Sequence, residues 1–131
     1  MEEALRSLLL QSAAVKATVQ ANVGWGLRPQ GAALPGVALF EVGGLPSLSF
    51  SGPAEWARSR VQADCWARTY KEARGVADAI GGREGVLHGF RGTIGDVRLR
   101  TMVIARRTDD DRDGEGPLYR TSLDLLVWHD G

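Results

Sequence analysis

The sequence predicts an α+β domain: a mostly antiparallel sheet with helices packed on one face, its strands joined by long hairpin loops. Three observations lead there. Residues 60–67 alternate Val61, Ala63 and Cys65 with Arg60, Gln62 and Asp64, the period-2 pattern of a strand. In residues 118–128, Tyr119, Leu123, Leu125 and Val127 oppose Arg120, Ser122 and Asp124 in the same way. Alternation of this kind belongs to an antiparallel sheet that is covered on one side only. Third, helical patterns precede and interrupt the strands, an order that gathers helices on one sheet face.

The elements follow in order. Glu2 to Gln11 reads as an amphipathic helix, with Leu5, Leu8 and Leu9 on one stripe and Glu2 and Glu3 at the positive end of its dipole. Ser12 is a cap for a second short helix through about Val19, closed near Asn22. Val23 to Leu27 is a weak strand, and Pro29 to Gly31 and Leu34 to Gly36 punctuate the loop after it. Val37 to Val42 is almost wholly apolar and suits a central strand. Gly43 to Pro53, rich in glycine, proline and serine, reads as a long hairpin connection. A strand from about Arg58 to Trp66 comes next.

Thr69 and Glu72 have the spacing of a capping box at a helix start. The helix that follows places Tyr70, Ala73, Val76, Ala77 and Ile80 on its apolar side and Lys71, Glu72, Arg74 and Asp78 on its wet side, and Gly81 and Gly82 end it. The glycine-rich residues 82–95 read as a flexible linker to a strand over about Asp96 to Arg106. Thr108 to Pro117 then forms a hydrophilic loop before the last strand.

The 131 residues fit one domain, 1–131, with no internal repeat. Sixteen basic residues balance sixteen acidic ones, which leaves no global attraction to nucleic acid, an anionic membrane or an acidic substrate. The single cysteine, Cys65, excludes an internal disulfide framework and a cysteine-based zinc site, and its apolar parity predicts a buried, structural thiol. The first residues lack the basic start of a signal peptide, and no apolar run approaches the roughly twenty residues that cross a bilayer. The expected location is the cytosol or a particle assembled there.

Catalytic and metal chemistry finds little support. Asp109, Asp111, Asp113 and Gly114 match the opening of a calcium loop, but its twelfth position, where a bidentate Glu belongs, is Arg120. A solvated hairpin tip is the expected reading. His88 and His129 stand alone, without ligand-spaced partners. No nucleophile elbow occurs, and Gly89 to Gly95 has the wrong spacing for a dinucleotide fingerprint. Asp64 and Asp124 share their strands' polar parity with Arg60 and Arg120, which predicts neutralising cross-strand pairs; the alternative is a small-ligand or enzyme site built from those four groups. Arg91, Arg98, Arg100, Arg106 and Arg107 form a basic stretch without the interleaved aromatics of a single-strand groove, leaving a nucleic-acid module as a third reading. Trp56, Trp66 and Trp128 fall on polar parities, which points to a small second core or a subunit interface.

Val23-Gly-Trp-Gly26, Pro29-Gln-Gly31, Leu34-Pro35, residues 60–67 with Tyr70 and Ala73, Leu118 to Asp124 and Val127-Trp128 together resemble the phage tail completion, or tail terminator, family. The likeness runs from the Glu-Glu-Ala-Leu start to Trp128 and departs in the acidic stretch and in residues 82–95. It implies a structural virion protein without catalytic residues, cofactor or metal. Its subunits would form a ring, a hexamer, at the head-proximal end of the tail tube. The implied partners are copies of itself, the tail tube protein, a neck or connector protein, and DNA passing through the lumen without sequence-specific contact, with no membrane. The expected assembly loops carry Leu45, Leu48 and Phe50 in one and Asp109, Asp110, Asp111, Asp113 and Glu115 in the other. The expected interface or lumen residues are Trp56, Arg60, Gln62, Asp64, Trp66, Arg120, Asp124 and Trp128.

Overall fold

The computed structural model describes residues 1–20, 22–26, 34–49, 52–83, 85–113 and 116–130, with side chains at all of these except 43–49, 52–57, 111–113 and 130. Among the described residues, three helices and six strands follow in the order α1 (Glu2–Gln11), α2 (Ala13–Val19), β1 (Val23–Trp25), β2 (Gly36–Ser49), β3 (Gly52–Ala67), α3 (Tyr70–Gly81), β4 (Arg91–Ile94), β5 (Val97–Asp113) and β6 (Gly116–Asp130). The strands form one sheet in the order β1-β2-β3-β6-β5-β4. Only β1 and β2 run parallel; every other neighbouring pair is antiparallel.

Each helix begins and stops for a local reason. The Ser12 hydroxyl accepts the Val15 N–H at 3.4 Å and so separates α1 from α2. In α3 the Thr69 hydroxyl accepts the Glu72 N–H at 3.1 Å and donates to the Glu72 carboxylate at 3.1 Å, which satisfies an orphan backbone donor of the first turn. The buried stripes are Leu5, Leu8 and Leu9 on α1, Val15 and Val19 on α2, and Ala73, Val76, Ala77 and Ile80 on α3. They meet Leu39, Val61, Ala63, Cys65, Leu99, Leu123, Leu125 and Val127 from one face of the sheet in a single core. Tyr70, read from the sequence as part of the apolar side of α3, is instead 48% exposed and meets Tyr119 edge-on with ring centroids 6.3 Å apart.

Three stretches expected to be loops are strands. Gly43–Pro46 pairs with residues 57–60, and Leu48 and Ser49 with Pro53 and Gly52, so the first expected connection is a paired hairpin arm. Thr108–Asp113 pairs with residues 116–121, so the acidic stretch is also a two-stranded arm. Its charges do not hold it open, because the ladder satisfies the backbone and Asp109 is neutralised by Arg120 at 2.7 Å. The glycine-rich residues 82–95 contain β4, with a two-residue turn into β5 in which Gly95 has φ +59°, a conformation that favours glycine. A Cβ at Gly85 would lie 2.6 Å from Ile80 C and from Gly81 N. Glycine there permits close backbone approach rather than flexibility, and it seats Leu87, which is fully buried and accepts the Thr101 hydroxyl at 2.8 Å.

Gly85→Ala should therefore lower stability by about 1–3 kcal/mol, the usual cost of overpacking. Thermal unfolding followed by circular dichroism reads it as a drop of several degrees in Tm.

Candidate assembly surface

The sheet face turned away from the helices carries the polar parity of β3, β6 and β5. Rows of paired residues cross it: Ala38, Asp64, Ser122 and Arg107 make one, and Phe40, Gln62, Asp124 and Ala105 the next. Because strands set side chains alternately up and down, the same register that buries Val61, Ala63, Leu123 and Leu125 under the helices puts Gln62, Asp64, Ser122 and Asp124 on the open side.

These groups form one connected network. The Ser122 hydroxyl and the Gln62 amide N–H each donate to Asp64 Oδ1 at 2.8 Å. Asp64 Oδ2 lies 3.9 Å from Arg120 Nη1, and Arg120 Nη2 donates to Asp109 Oδ2 at 2.7 Å. Asp124 Oδ2 is shared by Arg60 at 3.4 Å and Arg107 at 3.5 Å, and Arg107 also donates to Gln62 Oε1 at 3.3 Å. The carboxylates of Asp64 and Asp124 are nearly buried, with side-chain exposures of 5% and 10%, whereas the Arg60 and Arg107 side chains above them are half exposed. The expected cross-strand neutralisation is thus present, with Arg60 on Asp124 and Arg120 on Asp64. Arg107 and Asp109 extend it onto β5.

Trp66 and Trp128 stand at the two ends of the network. Arg120 lies over the Trp66 ring at 5.4 Å and Arg100 over the Trp128 ring at 5.7 Å, so each half-buried indole is capped by a cation. Side chains of Leu45, Leu48, Trp56, Asp111 and Asp113 lie outside those described, and Phe50 and Glu115 lie outside the described residues. By backbone register, Leu45, Leu48 and Trp56 belong to the β2–β3 arm and Asp109, Asp110, Asp111 and Asp113 to the β5–β6 arm. Beyond the rows shared by β2, β3, β6 and β5, the two arms project from opposite ends of the sheet. Residues 48, 49, 52 and 53 extend past the Trp56–Asp130 pair, and residues 111–113 and 116–118 extend past the Ala67–Tyr119 pair.

An open depression of ≈ 350 Å³ lies against Val42, Arg60, Gln62, Arg107 and Asp124. Its one carboxylate is already bonded to two guanidinium groups, which leaves no free acid or base for chemistry there. A grouping that sequence reasoning missed lies on the other side of the sheet, where the Ser59 hydroxyl is 3.0 Å from His129 Nε2 and 3.4 Å from Glu41 Oε1. The three residues are separated by 18 and 70 positions, so no local motif announces them. Carboxylate and imidazole both converge on the serine, whereas acyl-transfer triads use the carboxylate to orient the imidazole. Ser59 and His129 are buried, at 4% and 8% exposure. Burial also pushes the Cys65 thiol far above its ordinary value of 9.0, with the neighbouring Asp64 charge adding to the effect, so the thiolate that reactivity requires is disfavoured. No three metal-ligating side chains cluster among the described residues.

Asp64→Ala should cost about 1–3 kcal/mol, because it strands the Ser122 hydroxyl and the Gln62 amide. Asp109→Ala, whose carboxylate is exposed, should cost under about 1 kcal/mol. Urea denaturation of the two variants compares them directly, and equal losses would contradict the ranking.

A family profile described as Tail completion protein gp17 matches residues 3–130. Among solved structures, a chain of "Virion of native gene transfer agent (GTA) particle" superposes with a TM-score of 0.77, covering 100% of this chain and 95% of that one at 17% identity. That likeness shows a shared fold. No curated protein matches. Since the profile spans the helices, the whole sheet and both arms, the chain belongs to the tail completion protein gp17 family, structural proteins of the virion tail.

Proposed function

We propose that this chain is a ring subunit that completes the head-proximal end of a tail tube and joins it to the neck. The observation that carries the reading is the pair of arms that leave opposite ends of one sheet, with a continuous polar face between them. A subunit seated between two different rings needs one contact toward each. The β2–β3 arm and the β5–β6 arm supply these, one toward the tail tube protein and the other toward the connector. The family's resemblance supports six copies per ring.

The open face suits a lumen. Among the described side chains it carries Arg58, Arg60, Arg91, Arg98, Arg100, Arg107 and Arg120 against Asp64, Asp109 and Asp124, seven positive groups to three negative. A modest positive surplus attracts a passing DNA backbone without reading its sequence, and its acidic partners keep that attraction weak enough for release. The chain works by contact rather than catalysis: the buried Ser59–His129 pair is shut away from solvent, and the acids of the open face are neutralised.

Deleting Asp110 to Glu115 tests the arm. The deletion joins Asp109 to Gly116 and leaves a short turn above the Asp109–Arg120 pair, so the fold and its Tm should stay close to those of the parent chain. Complementation of particles lacking the protein should fall by at least tenfold, with full heads and free tails accumulating in electron micrographs. Normal joining by the deleted chain would contradict the proposal.

A further inference from the structure

Both outer edges of the sheet contain a stretch that no described strand covers. On one side β1 pairs with β2 only at Val37, Ala38 and Leu39, so β2 from Phe40 onward has β3 alone. On the other, β4 pairs with β5 only over residues 97–100, and the Thr101 N–H is taken by Phe90 O at 2.9 Å. From Met102 to Asp113, β5 has β6 alone. Three of the four large apolar side chains exposed among the described residues fall on these two stretches: Val42 at 52%, Met102 at 45% and Ile104 at 41%.

The two stretches are also matched in height. β2 is bulged between Glu41 and Gly43, and β5 between Val103 and Ala105. Glu41, Val61, Leu125 and Val103 form one row across the sheet, and Gly43, Arg60, Leu126 and Met102 form the next. Val42 and Ile104 therefore sit at opposite ends of almost the same rows. Bulges at sheet edges re-aim side chains and end regular pairing, which makes a short, defined contact more natural than an open-ended ladder.

We propose that successive copies of this chain meet edge to edge, with Phe40 to Val42 of one against Met102 to Arg106 of the next. The inference rests on the ring reading and adds where its contact lies. Strand direction allows it: β2 and β6 run one way and β3 and β5 the other. A rotation about an axis along the strands preserves those directions, so β5 of one copy meets β2 of its neighbour antiparallel. The contact joins two different edges, as a closed ring requires. Charge agrees as well, because Glu41 lies on the helix side of the β2 edge and Arg106, held at 2.7 Å by Asp78 of its own chain, on the helix side of the β5 edge, where it can take a second carboxylate. In the ring, Val42, Met102 and Ile104 lose the exposure that would otherwise invite aggregation.

Disulfide trapping on the full chain tests this. Residues 42 and 104 of one copy are about 14 Å apart across three strand spacings, beyond the roughly 7 Å that a disulfide bridges. Only a contact between copies links them. Mixing chains carrying Val42→Cys with chains carrying Ile104→Cys under mild oxidation should give a linked dimer at least tenfold above either alone. The doubly substituted chain should form a ladder of linked oligomers. Met102→Cys in place of Ile104→Cys should behave alike, which guards against a local defect at one site. Absence of linked species, whether light scattering finds rings or monomers, would overturn the proposal, and so would dimers from Val42→Cys alone. Rings without links would remove the edge assignment and leave the tail function standing. Linked ladders from a chain that fails to join tails would do the reverse.

Discussion

Everything in this molecule depends on a sheet that has helices on one face only. The covered face can be filled with Val61, Ala63, Cys65, Leu123, Leu125 and Val127. The other face carries the intervening residues of the same strands, and those include the two nearly buried carboxylates of Asp64 and Asp124. Asp64 and Asp124 are tolerable there because hydroxyl, amide and guanidinium donors from β3, β5 and β6 converge on them. The network ties three strands together laterally, and the half-exposed arginines above it decide what the face presents to the outside.

The same arrangement explains why the sheet is finished unevenly. Helices spend their apolar stripes on the covered face, and among the described residues no further strand pairs with the outer stretches of β2 and β5. Chains that fold alone usually blunt such edges with charge, proline or a covering segment. Here the short strands β1 and β4 cover part of each edge and stop at Leu39 and Arg100, three and four residues before the bulged Val42 and Ile104. An uneven finish of this kind is a cost for a monomer and a feature for a subunit.

Much of this was legible in the sequence. The helices α1, α2 and α3 are written in apolar spacing and in the caps Ser12 and Thr69, all of which are local signals. The one-sided sheet is written in the alternation of residues 60–67 and 118–128, and so are the Arg60–Asp124 and Arg120–Asp64 pairs, because they lie on adjacent strands of matching parity. The arms were not legible. Asp109 to Asp113 has a loop's composition, and it is a strand because β6 supplies a partner in register, which is information carried by distant residues. Residues 82–95 misled for the opposite reason: glycines at Gly85 and Gly95 mark close approach and a left-handed turn, and composition alone does not separate those from a linker. The parallel β1–β2 pair and the Ser59, Glu41 and His129 grouping likewise join residues with no local signature.

The central claim is that the open, arginine-rich face looks inward on a passing DNA while the helices look outward. A cryo-electron reconstruction of tails carrying this protein at their head-proximal end measures that directly. The account predicts a ring whose channel is lined by Arg60, Arg107 and Asp124, with α1, α2 and α3 on its outer wall. A channel lined by the helices, with the sheet turned outward, would contradict it.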